Sequence, residues 1–93
     1  MDFYINGFRF EKTCDECPEQ YDVFDPAGNM VAYFRLRNGY FRVQCPDVGG
    51  TTVYNAATNG DGIFDADERV KYLREAILAV EAHYINVSAE QLD

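Results

Sequence analysis

Through the first two-thirds of the chain, apolar and polar residues alternate with a period of two. From residue 66 onward the period becomes that of a helix. The alternation is cleanest over residues 31–37, where Ala32, Phe34 and Leu36 fall on one face and Tyr33, Arg35 and Arg37 on the other. Residues 40–45 repeat it, with Phe41, Val43 and Cys45 opposite Tyr40, Arg42 and Gln44. This is the signature of strands buried on one side only. Asn38-Gly39 separates these two runs, and Asn6-Gly7 separates residues 3–5 from 8–10. Asn-Gly between alternating segments predicts a type I′ hairpin, whose central residues both need positive φ. Pro26-Ala27-Gly28-Asn29 predicts a further turn between residues 21–24 and 30–34, and Gly49-Gly50 one before a short strand at 51–54.

The helix signal follows a polar, glycine-containing junction, Asp61 to Glu68. Asp65 is the expected N-cap, and Glu68 three residues on completes a variant of the capping box. Asp67 and Glu68 lie in the first turn, at the positive end of the helix dipole. Val70, Leu73, Ile77, Val80 and Tyr84 follow a 3-4-3-4 spacing and predict an apolar stripe on a rod of about 28 Å. The expected fold is α+β: an antiparallel β-meander of four to six short strands with one C-terminal amphipathic helix packed on one face. The stripe should rest on Phe34, Leu36, Phe41 and Val43. Residues 1–86 are read as one domain and 87–93 as a polar tail expected to fray.

Composition narrows the uses of such a domain. Ninety-three residues suffice for one modest core, and seven Phe with seven Tyr supply large contact areas. The formal charge of −8 disfavours direct contact with nucleic acid or an anionic membrane. Its natural counterpart is a basic protein surface or a cation. The N-terminal segment carries no secretory pattern and no run approaches a membrane span, so the expected location is the cytoplasm.

Chemistry-bearing residues are few. Cys14 and Cys17 have the spacing of a metal knuckle, and Cys45 with His83 could complete a Cys3His zinc site, the alternative to an interaction module. The plainer reading is free thiols in a reducing compartment, with Cys45 pointing inward by alternation. Asn59, Asp61, Gly62, Asp65 and Glu68 occupy positions 3, 5, 6, 9 and 12 of the twelve-residue calcium loop, so this stretch resembles an EF-hand loop. It departs from that pattern in having Ala57 at the first ligand position, Phe64 at the central aliphatic one, and a strand rather than a helix before it. The plainer reading is a turn leading into a capped helix. No nucleotide-binding loop is present, and the only serine, Ser88, lies in the expected tail, so the chain is not expected to be an enzyme or to carry a cofactor.

Charge distribution offers the remaining clue. Asp15, Glu16, Glu19, Asp22 and Asp25 form one acidic segment, and Asp61, Asp65, Asp67 and Glu68 a second. Together they predict a negative surface able to occupy the basic groove of a nucleic-acid-binding partner, as small inhibitors of phage or mobile-element type do by analogy. Tyr33, Arg35, Tyr40 and Arg42 offer a different protein-binding face, since tyrosine and arginine are typical interface anchors. A homodimer along a sheet edge or the apolar face is compatible with either.

Overall fold

The computed structural model describes residues 2–14 and 18–90. Six strands, β1 (Asp2–Ile5), β2 (Phe8–Lys12), β3 (Glu19–Phe24), β4 (Met30–Arg37), β5 (Tyr40–Cys45) and β6 (Thr51–Ala57), precede one helix, α1 (Ala66–Glu90). The strands form one antiparallel meander in the order β1-β2-β3-β4-β5-β6. Both Asn-Gly pairs make the expected hairpins: φ is 52° at Asn6 and 83° at Gly7, 55° at Asn38 and 71° at Gly39. The strand expected at 51–54 runs on to Ala57, and register shifts interrupt the ladder between Val23 and Phe24 and between Val43 and Gln44.

The inner face of the sheet carries Phe10, Val23, Phe34, Leu36, Phe41 and Val43, all essentially without solvent exposure. Aromatic rings bridge the sheet from edge to helix. Phe3 stacks on Phe10 (5.0 Å), Phe10 meets Phe34 (5.1 Å), Phe34 meets Phe41 (5.7 Å) and Phe41 meets Phe64 (5.0 Å), which lies beside Tyr72. Such pairs add about 0.5–1.5 kcal/mol each beyond the area they bury. The helix closes this core with Leu73, Ala76, Ile77 and Val80. It runs lengthwise along the strands: Arg69 in its early turns meets Glu19 at the start of β3, and Tyr84 in its later turns meets Val31 at the opposite end of the sheet.

Two expectations about the helix change. Val70, placed on the buried stripe by spacing, is 57% exposed. Arg69 takes the sheet-facing position at that level because it pairs with Glu19. The helix also passes through Val87 and Ser88 to Glu90, a length of 25 residues or about 37 Å. The polar stretch expected to fray is therefore helical through residue 90.

At the helix start the capping box is half formed. Glu68 reaches back to the Asp65 N–H (3.1 Å), while the Asp65 backbone carbonyl accepts the first helical N–H groups. Glu68 also accepts the N–H groups of Asn59 (3.0 Å) and Gly60 (2.7 Å). Gly60 is required there: a Cβ at that position would lie 1.9 Å from the Ile63 carbonyl oxygen.

Candidate functional site

The helix covers one face of the sheet; among the described residues no element covers the other. Alternation delivers the polar half of every strand to this open face, and the register sorts it into rows. One row reads Asp2–Glu11–Asp22–Tyr33–Gln44–Thr52, with Gln20–Arg35–Arg42–Asn55 next to it and Arg37–Tyr40–Ala57 at the hairpin end. On the other side of the acidic row lie Tyr4, Arg9 and Phe24.

The face is divided by charge. At the β1–β3 side Arg9 bonds to Asp2 (3.2 Å) and Glu11 (2.8 Å), and its guanidinium sits 4.3 Å from the Phe24 ring centre. Partial burial, with Asp47 and Glu11 nearby, raises the Asp22 carboxyl above its ordinary range. At the β4–β5 side three arginines gather around the Asn38-Gly39 turn. Arg35 and Arg42 are directly opposite across the ladder, and Arg37 faces Tyr40. Like charges directly opposite are unfavourable in a sheet. Among the described residues no carboxylate forms an ion pair with Arg35, Arg37 or Arg42. The Arg35 Nε is buried and has no hydrogen-bond partner there. Arg35, Arg37, Asn38, Tyr40 and Arg42 line an open depression of about 340 Å³. Tyr33 stands beside it, its hydroxyl donating to the Gln20 side chain (3.1 Å). The sequence-derived set Tyr33, Arg35, Tyr40 and Arg42 is thus brought together on one face.

The described members of the acidic set do not all lie at the surface. Glu19 is 1% exposed and belongs to the interior. Its carboxylate accepts the Arg69 guanidinium in a two-pronged pair (2.8 and 3.0 Å), the Phe64 N–H (3.0 Å) and the Tyr21 hydroxyl. Burial alone would raise this carboxyl, but the Arg69 fork, Tyr21 and Phe64 outweigh it and hold it below the ordinary range. Burial and the Glu19 charge push the Tyr21 phenol well up. Glu68 is likewise buried, bonded to loop backbone at the helix start. Both side chains are buried, whereas the sequence reading places them on an exposed acidic surface. The Asp25 carboxylate is engaged in its own turn with the Ala27 (3.0 Å) and Asn29 (2.9 Å) N–H groups, which hold its pKa down. Asp61, Asp65 and Asp67 are exposed around the helix start, and Asp22 lies on the open face. Asp15 and Glu16 lie outside the described residues.

Of the candidate metal ligands, Cys14 and Cys45 lie apart in space. Cys45 is in the core, where burial pushes its thiol up to about 11 and keeps it protonated at neutral pH. Cys14 follows β2, three strands from β5, a separation of roughly 14 Å from strand spacing alone. His83 sits edge-on to the Tyr84 ring, and Cys17 lies outside the described residues. Among the described residues no group of three or more metal-binding side chains is gathered. The stretch resembling a calcium loop is built with the wrong polarity for a cation. Three backbone N–H donors converge on the Glu68 carboxylate that would have to bind it. A hollow of about 450 Å³ near Phe8, Met30 and Tyr84 is mainly apolar, and its polar groups are already engaged: Asp25 in its turn, Glu81 by Asn6, Tyr84 by the Val31 carbonyl.

Two features escaped the sequence reading. Asn38 completes the arginine depression beside Arg37, which strand alternation already places on the face of Tyr33 and Arg35, and the Asn-Gly hairpin register was the signal for Asn38. Glu19 shares the alternation phase of Tyr21 and Val23, which points it inward, but nothing local identifies Arg69 as its partner fifty positions away. Among the described residues no helix is long and apolar enough to cross a membrane. No protein-family model, curated protein or solved structure matches this chain.

Proposed function

We propose that this protein is a non-catalytic interaction module that binds a protein partner through the open face of its sheet. The observation that carries this reading is a six-stranded face that no described element covers, with Tyr33, Tyr40, Arg35 and Arg42 at one pole and Asp2, Glu11 and Asp22 at the other. Tyrosine and arginine are the residues that anchor interfaces, and a face divided by charge sets a partner's orientation as well as its on-rate. The acidic pole suits a basic partner surface. If that surface is a nucleic-acid-binding groove, the module acts as an inhibitor by occupying it.

Partner capture from a host lysate under a salt gradient tests this when it is run with paired variants. Tyr33→Ala, Arg42→Glu and Asp22→Lys alter the open face; Lys71→Glu alters the exposed side of the helix. The expected result is one protein retained by the parent chain and by Lys71→Glu. It should be lost or weakened about thirtyfold by an open-face change at an anchor residue. Retention that follows Lys71 and ignores all three open-face changes overturns the reading.

A further inference from the structure

We infer that Arg35, Arg37 and Arg42 form a binding site for a tetrahedral oxyanion of the phosphate class. This rests on the reading of the open face as the working surface and adds the chemistry of what one pole recognises.

Four observations converge. First, the arginines are clustered although the chain has twice as many acidic as basic residues, 16 against 8, so compensating carboxylates were abundant. Second, the strands on either side supply amides instead: Gln20 is the cross-strand neighbour of Arg35, and Asn55 that of Arg42. Gln20, Arg35, Arg42 and Asn55 therefore make a row without a carboxylate. Third, the Arg35 Nε is a buried donor without an acceptor among the described residues. A buried donor left unpaired is costly, and a turn of the Arg35 guanidinium into the depression would bring its Nε–H to a bound oxygen atom. Fourth, the depression these side chains line is open and of a size to admit a small anion. Guanidinium forks match the oxygens of phosphate in bidentate geometry, and Tyr40 at the rim can add a hydroxyl donor.

The same charge pattern selects the size of the ligand. A compact phosphate samples the triad alone. A long polyanion also meets the acidic row on the same face and the field of a protein with net charge −8, both of which repel it.

The test is an NMR titration of the full chain, following the arginine Nε–Hε signals. Inorganic phosphate is one probe; a phosphoserine peptide and its unphosphorylated form are the others. Phosphate should shift and saturate the Arg35 and Arg42 signals with a Kd of roughly 1 mM, and Arg42→Gln should weaken this at least about tenfold. A phosphopeptide that binds about tenfold or more tightly than inorganic phosphate assigns the ligand to a modified partner; equal affinity assigns it to free phosphate. No shift at about 50 mM phosphate, some fifty times the expected Kd, overturns the site, as does an unchanged shift in Arg35→Gln/Arg42→Gln. Thermal melting without phosphate separates binding from a structural role. Relief of the repulsion between Arg35 and Arg42 should leave Tm of Arg42→Gln unchanged or higher, and a clear drop would mark the arginine as structural and overturn the site. Phosphate binding on a face that captures no protein would uphold the site and remove the partner reading; capture by a phosphate-blind face would do the reverse.

Discussion

Glu19 and Arg69 join the start of β3 to the start of the helix, and almost all of the cost falls on one partner. The Glu19 side chain is fully buried, whereas that of Arg69 is 36% exposed. Removing the arginine strands a charge in the core. Arg69→Leu should therefore lower stability by about 2–3 kcal/mol in urea denaturation, toward the low end for broken buried pairs because the guanidinium is partly hydrated. The double variant Glu19→Gln/Arg69→Leu should recover part of that loss. The pH dependence follows from the depressed Glu19 carboxyl. A folded-state pKa below the ordinary 4.5 contributes stability that is fully present above 4.5 and is lost as pH falls through the lower folded value. Urea midpoints measured from neutral pH into this acid range should fall, and they should fall less steeply in Glu19→Gln, which cannot titrate there. At the far end of the helix, the Tyr84 hydroxyl donates to the Val31 carbonyl (2.5 Å). Tyr84→Phe should cost about 1 kcal/mol.

At the scale of the element, the helix separates pattern from packing. Val70 and Ile77 are equivalent in the sequence period, yet Val70 is mostly exposed and Ile77 is completely buried. Val70→Lys should change stability by less than about 0.5 kcal/mol, while Ile77→Ala should cost about 2–4 kcal/mol, both read from denaturant midpoints. The strands show the opposite behaviour. Their period leaves only two sides to choose from, and the buried partner of each hairpin residue follows once the turn is set. Hence Ala32, Phe34, Leu36, Phe41, Val43 and Cys45 were all legible as core, and all are buried. The three N–H groups that Glu68 collects at the helix start were only partly legible. The capping spacing exposed the contact with Asp65, but the contacts with Asn59 and Gly60 require the loop to fold back on the helix.

The whole molecule is a sheet with a roof on one side and a charge-divided face on the other. A net charge of −8 on a chain this small carries self-repulsion that salt relieves. Raising sodium chloride from about 10 to about 150 mM, which shortens the screening length from about 30 to about 8 Å, should raise Tm modestly in a thermal melt. The Glu19–Arg69 pair, being buried on one side, should be little affected. Stronger salt sensitivity in Arg69→Leu than in the parent chain would contradict this separation of surface and interior electrostatics. Of the acidic residues clustered along the chain, Glu19 and Glu68 are buried while Asp22 lies on the open face. Clustering in sequence ignores that alternate residues of a strand face opposite sides, so Glu19 and Asp22, three apart, end on different faces.

What the sequence by itself determined is whatever depends on local geometry: the period-two strands, the two Asn-Gly hairpins with their positive φ angles, the order of the meander and the position where the helix begins. Each is decided by residues a few positions apart, whose sterics and alternation act before any tertiary contact forms. What only the tertiary structure decided is which polar residues are interior and which arginines form no ion pair among the described residues. Those outcomes depend on groups brought together from distant positions, such as Glu19 with Arg69, and on the helix choosing one of two faces. A charge has no fixed role until its partner and its exposure to water are known.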